Sequence, residues 1–239
     1  MNRVTIIGQG NVATHLCVAL AGTVDELVNV SSREPEEIPA DSDIYLIAVS
    51  DNAIEEVVGR MPDVKGIVAH TAGSVGMDVV SRRFKDAGVF YPLQTFTKGA
   101  FLDYSSIPVF VEGTDAAVEG KLLGLASMFT THLMRADSAR RERLHIASVF
   151  ACNFTNHLWG IADALLREDG MTLEVLMPLI EATTDKLRYL SPREAQTGPA
   201  ARGDTAVLKR HAEKLKDTRY LEIYNILSKA IFESNHERY

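Results

Sequence analysis

The chain has 239 residues, 46% of them hydrophobic and 24% charged, the balance of an ordinary globular protein with room for one large domain or two smaller ones. Its formal net charge of −7, with no long basic run, argues against binding to nucleic acid or to an anionic membrane surface. No apolar stretch approaches the ~20 residues that a transmembrane helix needs, and no basic and apolar leader precedes the first strand, so neither a membrane span nor a signal peptide is expected. The two cysteines, Cys17 and Cys152, both fall in predicted helices; they read as small core residues and fit a cytoplasmic protein.

Arg3-Val4-Thr5-Ile6-Ile7 predicts a first strand and Thr14 to Leu20 a helix. Between them lies Gly8-Gln9-Gly10-Asn11-Val12-Ala13, the G-x-G-x-x-[GA] spacing in the strand–turn–helix context that marks a dinucleotide site. Gly8 would make the tight turn and Gly10 would let the backbone approach a pyrophosphate. Ala13 would keep the helix close to the strand. The amino end of the helix, from Gln9 through Asn11 and Val12, would offer free N–H groups to the phosphates.

Glu26 to Ser31 reads as the second strand. An acidic residue at its end would accept hydrogen bonds from a ribose 2′-OH and favour NAD. The chain has Ser31-Ser32-Arg33 instead, two hydroxyls and a guanidinium suited to a 2′-phosphate, so NADP is favoured. Asp43 to Val49 is a third, buried-type strand, followed by a helix over Ala53–Val58. Asn52 and Glu55 have the spacing of a capping box, and Asp51 is a second cap candidate. Ligands of open α/β sheets sit at the carboxyl ends of strands, which makes Val49, Ser50 and Asp51 cofactor candidates as well.

Lys65 to His70 is the fourth strand, Val79 to Ala87 a helix, Gly88 to Tyr91 the fifth strand and Ile107 to Glu112 the sixth. Asp115 to Phe129 is helical and His132 to Arg135 a last short strand. Alternating strands and helices predict a doubly wound, mostly parallel sheet, an α/β Rossmann domain over residues 1–136. From residue 137 to 239 no further strand is found, and the second domain reads as all-α. One apolar stripe runs from Leu144 to Leu165, ending at Gly170. A second runs from Leu173 to Leu190, with Pro178 as an expected kink and Ser191-Pro192 as its stop. Asp204 looks like the cap of the next helix, and Leu221 to Ile231 define the last.

A Rossmann sheet followed by a helical half resembles the superfamily of pyrroline-5-carboxylate reductase, ketopantoate reductase and prephenate dehydrogenase. Closer still, the chain resembles the Rossmann-like and DUF2520 proteins, which carry the label of NADP oxidoreductases of the F420-dependent type. The matching segments are Gly8–Leu16, Ala48–Ile54, His70–Ser74, Tyr91–Phe96, Phe150–Leu158 and Thr197–Asp204. Pro92-Leu93-Gln94-Thr95-Phe96 and Thr197 to Asp204 are the more specific of these. The resemblance implies a cofactor at the carboxyl edge of the sheet and a homodimer built through the helical domain. It supplies no substrate, and F420 is not carried over as a ligand.

Nicotinamide chemistry leaves the protein to position a substrate carbon near the ring and to move one proton. His70, at the end of the fourth strand, is a candidate for that proton or for polarising a carbonyl. Asn153, Asn156 and His157 share a helix face at i, i+3 and i+4 spacing, and Asn153 and His157 are candidates there. β-Hydroxyacid dehydrogenases place a lysine and an asparagine on the corresponding helix, yet no lysine occurs between Arg143 and Arg167. Gln94 and Thr95 follow the fifth strand and are expected to meet the substrate, and Arg202 suits a substrate carboxylate. Prephenate dehydrogenase-like chains carry His-Pro where this chain has Tyr91-Pro92.

No zinc-ligand spacing and no Walker lysine are found. A methyltransferase of the same architecture would want an acidic residue where Ser31-Ser32 stands. The expected function is an NADP-dependent reductase or dehydrogenase of a small carbonyl or imine, its active cleft between the two halves. A non-catalytic NADP-binding sensor or scaffold is the alternative.

Overall fold

The computed structural model describes residues 3–236. By their contacts they fall into two compact units, one ending at Asn153 and the other beginning at Phe154.

The first unit is built on β1 (Arg3–Ile7), α1 (Asn11–Leu20), β2 (Glu26–Val30), β3 (Ile44–Ile47), α2 (Ile54–Arg60), β4 (Ile67–His70), α3 (Asp78–Ser81), β5 (Ala87–Pro92), β6 (Val109–Gly113), α4 (Ala116–Ala126), β7 (Leu133–Arg135) and α5 (Ser138–Ser148). The seven strands form one sheet in the order 2-1-3-4-5-6-7. All neighbours run parallel except β5 and β6, so the sheet is doubly wound and mostly parallel as the alternation predicts. The chain moves outward from β1 to β2 and then returns to β3 on the other side of β1. That reversal is the topological switch point at which open α/β sheets take their ligands.

Period two along each strand divides the core. Val4, Ile6, Leu46, Ala69, Phe90 and Val111 bury against Leu16 and Leu20 of α1 and Leu122 and Leu125 of α4. Ile7, Tyr45, Ile47 and Val68 bury on the other face against Ile54, Val57 and Val58 of α2 and Val80 and Phe84. Cys17 packs half-buried beside the first cluster, and burial pushes its thiol pKa up. Cys152, expected in the core, is exposed.

Two local expectations change. The predicted helix 79–87 ends at Ser81, because Ala87 is drawn into β5 opposite Val68. The capping box at Asn52 and Glu55 does not form; a 3₁₀ turn, Asp51–Ala53, leads into α2, and neither start has a side-chain cap. Helix α5 groups by its contacts with the sheet unit. The helical stripe beginning at Leu144 is continuous, but it passes through a π-helical stretch, Val149–Phe154.

The second unit contains α6 (Thr155–Arg167), α7 (Met177–Asp185), α8 (Pro192–Ala195), α9 (Pro199–Arg202), α10 (Thr205–Leu215) and α11 (Leu221–His236). Gly170, at φ +70°, ends α6 with a hydrogen bond from the Met171 N–H to the Leu166 carbonyl, the Schellman pattern. Pro178 opens α7 in its first turn instead of kinking a longer helix, since a proline there has no hydrogen bond to lose. Asp204 caps α10 by accepting the Val207 N–H at 3.2 Å. No helix among the described residues is long and apolar enough to cross a membrane.

Candidate dinucleotide site

The glycine turn is fixed from both sides. The Gly8 N–H donates to the Val30 carbonyl at 2.9 Å, and the Ala48 N–H donates to the Ile7 carbonyl at 2.8 Å. The Asn29 amide on β2 donates to the carbonyls of Ile6 and Gly8 at 3.0 and 2.8 Å. Gly8 sits at φ +132°, and a Cβ there would lie 2.2 Å from the Ala48 carbonyl oxygen. No residue with a side chain fits that position. Gly10 faces the opposite way: a Cβ on it would meet nothing within 4 Å, so the space in front of α1 is open. The start of α1 has no side-chain cap. Its first N–H groups and the positive end of the helix dipole are therefore left for an anion. An open cradle before an uncapped helix at the switch point fits a pyrophosphate.

Beside it lies a cleft of about 710 Å³, and the sequence candidates gather there: Gln9, Gly10, Asn11 and Val12 from the turn, Ser31, Ser32 and Arg33 from the end of β2, and Val49 and Ser50 from the end of β3. Ser31 Oγ accepts the Arg33 N–H at 3.2 Å, which folds the β2 end back on itself. Asp51 does not line this cleft; its carboxylate accepts the Ser74 hydroxyl. Two charged residues not foreseen also line it, Glu56 and Arg60 of α2. A larger hollow of about 890 Å³ lies at the opposite, amino-terminal edge, between Asp41, Asp63 and Asp86 and the cations Lys65 and Lys121. It is away from the strand ends at which α/β sheets bind ligands.

The loop after β5 is tied to the same helix. Asn11 Nδ2 donates to the Phe96 carbonyl at 2.8 Å. His15 is buried, donates from Nε2 to the Thr97 carbonyl at 2.8 Å and accepts the Tyr104 hydroxyl on Nδ1 at 2.8 Å. Gln94 and Thr95 thereby lie exposed at the same edge as the glycine turn, with Gln94 Oε1 accepting the Thr95 N–H at 2.7 Å.

His70 takes a different place from the expected one. Period two turns its side chain into the face covered by α2 and α3, where it is fully buried. Nδ1 accepts the Ala72 N–H at 3.2 Å, so the ring proton is on Nε2, which donates to the Gly76 carbonyl at 3.3 Å. Burial, and then the charge of Arg141, push its pKa down to about 4. A neutral imidazole with both nitrogens engaged anchors the β4–α3 loop and has no free nitrogen to offer a substrate.

The half-buried polar groups beyond it belong to Tyr91 and His145. The half-buried Tyr91 hydroxyl, at the end of β5, lies 3.4 Å from His145 Nδ1 on α5. A Cβ on Gly73 would lie 2.6 Å from the Tyr91 ring, so glycine lets the ring rest on the β4 end. Burial, and then the Asp51 charge, raise the Tyr91 pKa, which keeps the phenol protonated. Asn153 is exposed within the π-helical stretch, a distortion common at functional sites. In the helical unit, His157 is exposed on α6 and Arg202 is exposed at the end of α9, just before Gly203 at φ +69°. Among the described residues no group of three His, Cys, Asp or Glu side chains is arranged to hold a metal ion.

Comparison with known proteins agrees with the fold. The family model described as "Domain of unknown function (DUF2520)" matches residues 107–231. None of the curated proteins compared matches the chain. Among solved structures, a provisionally named NADP oxidoreductase of Bacteroides fragilis is 32% identical, with a TM-score of 0.90 over 97% of this chain and 98% of that one. The protein TM1727 of Thermotoga maritima is 17% identical, with a TM-score of 0.74 over 97% and 98%. A reductive aminase of Aspergillus terreus, in complex with NADPH and ethyl levulinate, is 14% identical, with a TM-score of 0.72 over 99% and 96%. The fold is that of NADP-dependent oxidoreductases, and the chain belongs to the DUF2520 family.

Proposed function

We propose that the protein is an NADP-dependent oxidoreductase of the cytoplasm, acting as a homodimer on a small, carboxylate-bearing carbonyl or imine. The observation that carries this reading is the cradle at Gly8 and Gly10, open before an uncapped helix at the switch point and bordered by Ser31, Ser32 and Arg33. When bound, the nicotinamide supplies or accepts the hydride. The chain's own residues do the rest. Backbone N–H groups of α1 hold the pyrophosphate, and the β2 end takes the adenosine half. The β4 and β5 ends, where Tyr91 rests on Gly73, would face the nicotinamide half. There the Tyr91 hydroxyl gives its proton to the substrate oxygen or nitrogen as negative charge develops, and His145 returns one to the phenolate. Asn153, exposed in the π-helical stretch, orients the substrate, and the Arg202 guanidinium is of the type that suits a carboxylate. Free thiols at Cys17 and Cys152 suit a reducing compartment.

The test begins with a fluorescence titration of NADPH and follows NADPH oxidation with a panel of keto acids, cyclic imines and ketone–amine mixtures. Tight NADPH binding with turnover of one member is the expected result, and Tyr91→Phe should lower kcat at least tenfold with the NADPH Kd unchanged. Failure to bind NADPH would sink the reading. Binding without oxidation would select a sensor or scaffold, the reading that the buried, fully engaged His70 favours.

A further inference from the structure

We infer that Arg60, reaching over from α2, is the second cationic half of the seat for the adenosine 2′-phosphate, and that Glu56 is its counter-ion until the phosphate arrives. The inference rests on the NADP reading above.

Arg60 is the last residue of α2, and two of its contacts have separate meanings. Nη1 pairs with Glu56 Oε1 at 3.3 Å, one turn back on the same helix. A cation in the last turn also complements the helix dipole. Those two facts alone would describe a surface arginine. The third does not fit that description: Nη2 donates to the Arg33 carbonyl at 3.4 Å, across 27 residues of sequence. The guanidinium therefore touches the backbone of the very turn that carries the predicted phosphate ligands. Arg60, Glu56, Ser31, Ser32 and Arg33 all line one cleft.

The topology explains the meeting. β2 and β3 flank β1 on opposite sides, and α2 follows β3. Its carboxyl end returns beneath the β2 turn and brings in a cation that no local motif at β2 reveals. Arg33 has no ion-pair partner among the described residues, so the cleft holds one uncommitted guanidinium and one held by a single acid. An exposed helical Arg–Glu pair is weak and easily exchanged. A phosphate carrying nearly two charges and three acceptor oxygens is the stronger partner for a planar guanidinium. Arg60 would leave Glu56 for the phosphate, while Ser31 and Ser32 present hydroxyl donors. In NADH a neutral ribose hydroxyl stands in that place, and the exchange gains nothing.

The test is a set of Kd values for NADPH and NADH, measured by nicotinamide fluorescence on the full-length protein, with displacement by 2′-AMP and by 5′-AMP. In the wild type NADPH should bind at least tenfold tighter than NADH, and 2′-AMP should displace it better than 5′-AMP. Arg60→Ala should weaken NADPH about tenfold and leave NADH within about twofold. Arg60→Lys, which keeps the charge without the fork, should fall between. Glu56→Gln should tighten NADPH several-fold, because the competing acid is gone. Circular dichroism on each variant checks that the fold is kept. A wild type that binds NADH as tightly as NADPH, or binds neither, overturns the NADP reading. A clear NADPH preference that survives Arg60→Ala, or equal losses of both cofactors, overturns the role of Arg60 alone. Weaker NADPH binding in Glu56→Gln overturns the counter-ion exchange.

Discussion

Single residues in this protein do their work through what surrounds them, and His70 is the clearest case. Its folded pKa of about 4 lies below the ordinary histidine value of 6.5, because the charged form would be buried beside Arg141. The unfolded chain therefore takes up this proton as the pH falls through about 6.5, while the folded chain does not until about 4. Stability above that window is untouched and is lost progressively within it, by at most about 3 kcal/mol. Chemical denaturation between pH 7.5 and 4 should show this slope, and His70→Gln, which cannot titrate, should flatten it. An equal slope in the variant would remove His70 as the cause. That Lys65 to His70 forms a strand is legible in the sequence, and period two assigns its faces. What the one-dimensional pattern lacks is the partner: Gly76 and Ala72 meet the ring only once the loop after β4 has folded over it. The Tyr91–His145 and Arg60–Arg33 contacts were out of reach for the same reason, because each joins segments 54 and 27 residues apart that only strand order brings together. The glycine turn is the opposite case, with every part of the signal inside six residues.

At the scale of elements, α5 shows how a helix is assigned to a unit by one side chain. Its composition is polar, and Arg141 is its one fully buried residue. The guanidinium pairs with Glu112 on β6 and donates to the Val75 carbonyl at 2.6 Å. Ser138 Oγ also donates to Glu112, at 2.9 Å, and accepts the Met77 N–H at 3.2 Å. Sequence periodicity finds apolar stripes and has no means of seeing a helix docked by a buried charge, so the composition change at Ala136 does not reveal where α5 docks. His145 lies one turn further along the same helix. Arg141→Met should cost about 3–5 kcal/mol, because it strands the Glu112 carboxylate. Adding Glu112→Leu should return much of that loss, since the pair as a whole contributes far less than either charge left alone. Urea denaturation of the two single variants and the double variant gives the cycle. A double variant no more stable than Arg141→Met would mean that the arginine's packing, and not its charge pairing, docks the helix.

Over the whole molecule, the two units differ in how completely they bury themselves. The sheet unit has two dense clusters, one on each face. In the helical unit, among the described residues from Phe154 to His236, Ala200 alone is buried. Leu179, Leu187 and Ile226 are 64%, 54% and 59% exposed. The helices are well terminated, by Gly170, by the Ser191–Glu194 capping box and by Asp204, so local structure is not what is missing. A unit of this length with almost no core has little to hold it folded by itself. Burying such apolar faces against a second copy of the chain, over at least about 1,600 Å², would supply the missing core, as the proposed homodimer requires. Sedimentation should therefore give twice the chain mass at micromolar concentration, in line with the dimer that the family resemblance implies. Leu158→Glu combined with Leu179→Glu should dissociate it and lower the helical signal at 222 nm, while the sheet unit, whose clusters are complete, keeps its own NADPH affinity within about threefold. A monomeric wild type with full helicity would show that these faces are stable without a second copy. A variant that dissociates and also loses NADPH binding would tie the cofactor site to the assembled dimer.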